Sequence, residues 1–156
     1  MGDLKLTYQV DGGDLVQAGE ASSQMKMTLK KLGLPPEIIR KASVCMYEGE
    51  INMVIHADGG RVEVEVGMDA ITIRLIDQGP GIPDVDRAME EGYSTAGDVA
   101  RDLGFGAGMG LPNMKRYSDE MRIDTTVGVG TTVTMRIDIN LSLIHISEPT
   151  RLQLIS

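Results

Sequence analysis

The fold of this chain is indicated most clearly by one short stretch, Asp77–Asp84 (DQGPGIPD). It directly follows Ala70–Ile76, whose alternating β-branched residues predict a strand. Glycine lets the backbone turn sharply and approach a planar ligand, and the carboxylate of Asp77 can accept a hydrogen bond from an exocyclic amine. By itself the stretch fits an ordinary Pro/Gly turn better, so its interpretation depends on the sequence around it.

A long central helix is predicted upstream, because Pro35 and Pro36 suit a first helical turn and apolar residues recur after them as far as Ile55. Glu48 and Asn52 lie four residues apart in it and therefore share one face. A carboxylate can take a proton from an attacking hydroxyl, and an amide oxygen is a hard ligand that suits Mg²⁺. A solvated face is the ordinary explanation of such a pair, but the apolar neighbours predict a helix buried enough that polar groups need a reason.

Two glycine-containing stretches lie downstream. Gly104–Leu111 (GFGAGMGL) places glycines at alternate positions before a predicted helix, where backbone N–H groups and a helix N-terminus can bind phosphate. No Gly-Lys-Ser/Thr follows, and Met109 and Leu111 interrupt a G-x-G-x-x-G pattern, so Walker A and dinucleotide-binding loops are unsupported. Gly128–Thr132 (GVGTT) separates the last two predicted strands and is by itself consistent with a hairpin turn.

The remaining pattern predicts an α/β (α+β) two-layer sandwich, with a mixed sheet covered on one face by helices. Leu4–Val10 is the first strand, and Asp14 is expected to cap a helix that has apolar residues at positions 18, 21, 25, 29 and 32 and ends at Gly33. The segment between Asp77 and Gly110 is rich in Gly, Asp, Ser and Thr and is interpreted as a binding loop and lid. The other predicted elements are strands Arg61–Met68 and Ala70–Ile76, helices Val85–Glu91 and Leu111–Ser118, and strands Met121–Val127 and Thr131–Ile139.

The composition narrows the class of protein. With 156 residues, of which 42% are apolar, the chain can bury one core, and we expect one domain over residues 1–140. The net charge of −8 argues against a nucleic-acid partner, which normally needs a basic surface. Cys45 is the single cysteine, so no disulfide can form within the chain. Because the sequence shows neither a signal peptide nor a membrane-spanning apolar run, we expect no membrane association and a cytoplasmic location.

Residues 141–156 (LSLIHISEPTRLQLIS) differ from the rest of the chain, since they contain none of the Gly, Met and Asp that are frequent before them. The string resembles translated adaptor read-through, and we therefore expect a non-native tail and exclude it from the fold. A genuine short C-terminal strand or tail is the alternative.

Together these stretches resemble, in order and spacing, the GHKL superfamily of gyrase-type, Hsp90-type, histidine-kinase and MutL-type ATPases. The similarity extends over about residues 4–139 and implies the Bergerat ATP-binding fold, with its HATPase_c domain. The matching residues are Glu48 and Asn52 for the N box, Asp77, Gly79 and Gly81 for the G1 box, Gly106, Gly108, Gly110 and Leu111 for the G2 box, and Thr131 for the terminal Gly-Thr element.

The resemblance implies ATP and Mg²⁺ as cofactors and a role for each matched residue. Asp77 would accept from the adenine amine, Gly81 would give the base room, and Thr131 would support adenine through water. Asn52 would hold Mg²⁺, and Glu48 would be the general base of phosphoryl transfer, a reaction that depends mainly on positioning and charge neutralisation. The G2 box would bind the nucleotide beside its phosphates.

Two further runs resemble the switch serine/threonine kinases of anti-sigma-factor pathways, Met89–Thr95 (MEEGYST) and Gly110–Arg116 (GLPNMKR). This resemblance implies transfer of the ATP γ-phosphate to a small regulatory acceptor protein or another protein of a sigma-factor pathway. The stretch Gly97–Leu103 lengthens the lid relative to the shortest members. The identity of the partner therefore stays open. A homodimer is a separate alternative for the assembly of this chain.

Two alternatives belong to other classes. In a nucleotide-gated binding module, ATP would order the lid, and the ordered surface would sequester a partner with slow chemistry or none. The ATP-binding half of a histidine kinase is less favoured. Only His56, inside the N box, and His145, in the suspected foreign tail, are present, and neither lies in a phospho-accepting helix.

Overall fold

The structure is a computed structural model that describes residues 4–12, 17–57, 59–90 and 110–139. Within these residues five strands and four helices follow the predicted order. Their bounds are β1 (Leu4–Asp11), α1 (Glu20–Lys31), α2 (Pro36–His56), β2 (Gly59–Val66), β3 (Ala70–Asp77), α3 (Val85–Ala88), α4 (Gly110–Tyr117), β4 (Glu120–Thr126) and β5 (Gly130–Asp138).

The five described strands form a sheet in the order β1-β2-β3-β5-β4, and each adjacent pair is antiparallel. The expected two-layer α/β sandwich is confirmed, but the expectation of a mixed sheet is wrong for these strands. β3 and β4 are separated in sequence by residues 78–119 and run in the same direction. Because β5 lies between them, they do not form a parallel pair.

One face of the sheet carries the core, because side chains alternate between the two faces of a strand. Val62 and Val64 of β2 and Ile71 and Ile73 of β3 are almost fully buried on this face. The other face carries polar side chains such as those of Glu63, Glu65, Thr72, Arg74 and Thr134. The described helices α1, α2 and α4 therefore cover one side of the sheet, as the sequence pattern predicts.

The central helix α2 packs against β2, β3 and β5, with α1 and α4 on either side of it. Gly49 allows the close approach to β3, since a Cβ at this position would lie 2.6 Å from Cδ1 of Leu75. Pro36 is the first residue of α2, at a position where a missing N–H costs little. Within the described ranges, no helix is both long enough and apolar enough to cross a bilayer.

The end of α1 agrees with the sequence pattern. Gly33 has a φ of +77°, and its N–H donates to Lys30 O at 3.0 Å while the N–H of Leu34 donates to Leu29 O at 3.3 Å. These two bonds form a Schellman motif, which favours glycine because the backbone is left-handed at this position. Gly33 therefore ends the helix as predicted.

The start of α1 differs from the pattern. Ala18 lies in a turn before the helix, and the N-cap is Gly19, which has a φ of +100° and offers no side chain for capping. The predicted cap, Asp14, lies outside the described residues. A residue distant in sequence, Glu50 of α2, binds the N–H groups at this helix end instead.

Candidate functional site

The ends of β3 and β5 bring Asp77 and Thr131 together as register partners. Oδ1 of Asp77 accepts from the N–H of Gly79 at 2.9 Å and from the N–H of Thr131 at 3.2 Å. Both bonds use the same carboxylate oxygen, so Oδ2 is the oxygen that can receive a ligand donor. Such fixed acceptor geometry suits recognition of an amine.

A third residue, Thr125 of β4, extends this arrangement and was not identified from the sequence. Its Oγ1 accepts from the N–H of Ile82 at 2.9 Å and lies 2.9 Å from Oγ1 of the buried Thr131. It can also donate to Gly130 O at 3.3 Å. Thr125 thus ties the 77–84 turn to the β4–β5 hairpin. The threonines at the end of β4 and the start of β5 were the available signal, but they do not specify which hydroxyls meet.

Glycines in this turn allow backbone segments to pack closely. Gly81 has a φ of +80°, and a Cβ there would lie 2.6 Å from Thr126 O, so a side chain would strain the backbone and collide with β4. A Cβ on Gly79 would lie 2.7 Å from Cβ of Ala57. The glycines are therefore required by the turn itself. The role of Gly81 in giving an adenine base room stays a prediction. Asp77, Gly79, Gly81, Thr125 and Thr131 are called the sheet side of the site below.

Side chains of α2 and α4 form the second half of the site. Nδ2 of Asn113 donates to Oε2 of Glu48 at 3.0 Å, and both residues are partly buried. One helical turn along α2, Asn52 lies against Gly110, where a Cβ would be 2.9 Å from Nδ2 and 3.1 Å from Oδ1 of Asn52. Glu48, Asn52, Gly110 and Asn113 are called the helix side of the site below.

The structure thus places Gly110 beside Asn52, and Glu48 beside Asn113 of the same helix α4. Leu111 follows as the second residue of α4 and is half-buried. Gly106 and Gly108 lie outside the described residues, as does most of the predicted lid. Asn113 was not singled out from the sequence, although it belongs to the run Gly110–Arg116, because nothing in that run shows that its amide meets a glutamate of another helix.

Another carboxylate of α2, that of Glu50, was not identified from the sequence. Glu50 is only 2% exposed, and it accepts from the N–H groups of Gly19 at 3.0 Å, Ala21 at 3.2 Å and Ser22 at 3.0 Å. The hydroxyl of Ser22 donates to it at 2.7 Å. Glu50 therefore caps α1 from another helix, at the end where the helix dipole favours negative charge. A glutamate two residues from Glu48 was visible in the sequence, but its partners were not.

A groove of about 540 Å³ opens between α1 and α2 beside Glu48. On the α2 side its wall consists of Ser43, Val44, Tyr47 and Glu48. It therefore extends from Glu48 toward the N-terminal half of α2 and across to α1. The other lining residues are Gln17, Ala18, Gly19, Glu20, Ser22, Ser23 and Lys26.

Burial favours the neutral form of two titratable residues of α2 by shifting their pKa. Burial raises the pKa of the Cys45 thiol to about 12, so it stays protonated, and the thiolate is the reactive form. Burial lowers the pKa of His56, which keeps its ring neutral at pH 7. In the part of the chain that the structure describes, no three His, Cys, Asp or Glu residues cluster as metal ligands.

Curated relatives share sequence with a large part of this chain. The serine/threonine-protein kinase RsbT of Bacillus subtilis (strain 168) is 33% identical over 108 residues, which are 67% of this chain and 75% of the relative. An anti-sigma F factor of Clostridium beijerinckii is 31% identical over 130 residues, 78% of this chain and 87% of the relative. Each alignment spans most of the relative.

A solved structure shares the fold. The mycobacterial sensor histidine kinase MprB superposes with a TM-score of 0.50 at 16% identity, over 86% of this chain and 97% of that one. The profile described as "Histidine kinase-, DNA gyrase B-, and HSP90-like ATPase" matches residues 45–141, which include the sheet and helix sides of the site. This chain therefore belongs to the family of histidine kinase-, DNA gyrase B- and HSP90-like ATPases.

Proposed function

We propose that this protein is a Mg-ATP-dependent serine/threonine protein kinase of the anti-sigma-factor switch type, which transfers the γ-phosphate to a small regulatory protein. The names of its relatives support this, because they include a serine/threonine-protein kinase and anti-sigma F factors. The observation that carries the proposal is the position of Glu48, one helical turn from Asn52 and on the wall of an open groove. A base placed in this way can meet a nucleotide on one side and a hydroxyl on the other.

The residues of the site fit Mg-ATP in their chemistry. On the sheet side, Asp77 would receive the adenine amine at Oδ2 while its other oxygen holds the turn. On the helix side, Asn52 offers an amide oxygen of the kind that binds Mg²⁺, and Gly110 lets the start of α4 come close to it. Bound Mg²⁺ would neutralise charge on the transferred phosphate. Glu48 would take the proton of the attacking hydroxyl.

The groove beside Glu48 supports transfer to a protein. Its volume of about 540 Å³ lies within the range of roughly 300–1,000 Å³ typical of ligand pockets. Glu48 lines it, so a serine or threonine side chain inserted there can reach the carboxylate. We propose the cytoplasm as the location, since ATP is available there, and a single ATP-binding domain over residues 1–140. We also propose that two copies associate as a homodimer, which a measurement of mass in solution tests.

A nucleotide-gated binding module is the second candidate. It is favoured by the relatives whose names describe a factor that opposes a sigma factor, since such opposition requires binding but no chemistry. In this candidate the site would bind ATP in the same way, and Glu48 would have no proton to accept. The two candidates therefore differ in the role of one residue, Glu48.

The substitution Glu48→Gln separates them, because it removes the proton acceptor and keeps the size of the side chain. For the kinase, γ-phosphate transfer to a co-purified partner, or ATP hydrolysis in its absence, should fall by about 10²–10⁴-fold, while calorimetric ATP affinity is retained. Asn52→Ala is the matched variant, and it should weaken Mg²⁺-dependent ATP binding itself. Transfer and hydrolysis at the wild-type rate in Glu48→Gln, or neither activity in the wild type, would leave the binding module as the function.

A further inference from the structure

We propose that Asn113 is a positioning residue for the proton transfer assigned above to Glu48, an inference that rests on the proposed function. The amide of Asn113 donates to Oε2 of Glu48 at 3.0 Å, across 65 positions of sequence. The contact joins α4 to α2, so it depends on the packing of two helices. A side chain that touches the base and no reacting atom acts by orienting that base.

The chemistry of an amide suits this task. The NH₂ group of Asn113 is a donor without net charge, so it orients the carboxylate and leaves its negative charge in place. A lysine or arginine at this position would neutralise that charge. With Oε2 occupied, Oε1 of Glu48 is the oxygen that can accept a proton. A general base must lie within about 2.6–3.2 Å of the group it deprotonates, so a fixed orientation of the carboxylate directly affects the rate.

The packing of α4 makes it a firm support. Met114, the neighbour of Asn113, is 1% exposed, and Sγ of Cys45 lies 3.6 Å from Met114 O. Three residues before Asn113, a Cβ on Gly110 would lie 2.9 Å from Nδ2 of Asn52, so only a glycine leaves this amide its space. The first turn of α4 therefore lies against Glu48 and Asn52, which are one helical turn apart on α2. A shift of α4 relative to α2 would therefore change the surroundings of Glu48 and Asn52 together.

The first test is Asn113→Ala, with ATP turnover and ATP affinity measured separately. We expect kcat to fall by about tenfold to a hundredfold, since small misplacements of catalytic groups have effects of this size, and the Kd for Mg-ATP to change less than about threefold. Asn113→Gln keeps an amide donor on a longer side chain and should recover part of the lost kcat. Gln24→Ala removes an exposed amide from α1 and is the matched control, with wild-type turnover expected.

A double-mutant cycle then asks whether Asn113 acts through Glu48. In a Glu48→Gln background, Asn113→Ala should lower turnover no further, because the base that it orients is already absent. A full additional loss would overturn the inference, since Asn113 would then act elsewhere. If Glu48→Gln lowers turnover but Asn113→Ala does not, the inference fails and the proposed function stands. If Glu48→Gln has no effect on turnover, the proposed function itself fails.

The contact can also be tested without turnover. In NMR spectra of the protein without nucleotide, the side-chain NH₂ signals that disappear in Asn113→Ala belong to Asn113. These signals should shift in Glu48→Gln, because the charged acceptor is replaced by a neutral one. Unchanged signals would mean that the hydrogen bond does not exist in solution and would overturn the inference. If Asn113→Ala does not fold, Asn113→Asp gives the same test by turnover. It keeps the shape of the side chain but places two negatively charged carboxylates next to each other.

Discussion

The sheet side and the helix side of the site are held by different kinds of hydrogen bond. On the sheet side, Asp77 accepts from two backbone N–H groups, one in its own turn and one in the neighbouring strand. On the helix side, Glu48 accepts from a side chain, that of Asn113. Under the proposed function, residues of the sheet side therefore serve fold and ligand together, whereas we expect that those of the helix side can be changed with less effect on the fold.

Two neighbouring glutamates of α2, Glu48 and Glu50, show the same contrast over a shorter distance. Glu50 is buried and receives four hydrogen bonds from the start of α1, so it belongs to the structure. Glu48 is partly exposed, has one amide partner and borders a groove. Burial and the number of partners thus distinguish a structural carboxylate from one that can do chemistry. The substitutions below test this distinction, beginning with the largest expected effect.

Replacement of Glu50 should destabilise the fold most. Glu50→Ala leaves the N–H groups of Gly19, Ala21 and Ser22 without their acceptor, and one unsatisfied buried donor costs about 1–3 kcal/mol. We expect the free energy of unfolding in urea to fall by roughly 3 kcal/mol or more. Glu48→Gln, the matched control two residues away, should change it by less than about 1 kcal/mol. Equal losses in the two variants would remove the distinction between the glutamates.

The substitution Asp77→Asn should separate ligand binding from folding on the sheet side. The amide oxygen can keep both backbone hydrogen bonds, while the NH₂ group that replaces Oδ2 would oppose the adenine amine. ATP affinity should weaken by about 1–3 kcal/mol, which is roughly 5- to 150-fold in Kd. Calorimetric titration measures this. Unchanged affinity would contradict the adenine role of Asp77, and a large loss of stability would mean that Oδ2 also supports the fold.

The substitution Thr125→Val probes the hydroxyl that ties the turn to the hairpin. Valine has the same shape but leaves the N–H of Ile82 and the hydroxyl of Thr131 without this partner. We expect the free energy of unfolding to fall by about 1–2 kcal/mol, with a smaller loss of ATP affinity than in Asp77→Asn. Thr126→Val is the control, since Thr126 is exposed on the same strand. If both variants have the same stability, Thr125 contributes nothing to the site.

The smallest expected effect is the pH dependence contributed by His56. Burial lowers its pKa below the ordinary value of 6.5, so the unfolded chain binds a proton more readily than the folded one. Stability linked to His56 is therefore complete above about pH 6.5 and decreases as the pH falls through that value. Urea titrations at pH 7.5 and 5.5 should show a smaller difference for His56→Gln than for the wild type. A difference of the same size would assign the pH dependence to other groups.

Much of the fold could be predicted because its signals are local. The alternation around Val62 and Ile73 specifies strands with one buried face, and Gly33 ends α1 through its left-handed backbone. The start of α1 could not be predicted, since its N–H groups are bound by Glu50, which is about thirty residues away. The antiparallel sheet could not be predicted for a similar reason. Strand order depends on where β5 inserts and not on any pattern within the strands.

The sequence by itself determined which residue types are available to the site and their order: Glu48 and Asn52 on one helical face, Asp77 at a strand end, and glycines in the turn that follows. These follow from period, spacing and backbone freedom, which act over a few residues. Only the tertiary structure decided which groups meet. It paired Asp77 with the N–H of Thr131, Glu48 with Asn113, and Glu50 with the start of α1. Such pairs depend on strand register and helix packing, and those are properties of the whole folded chain.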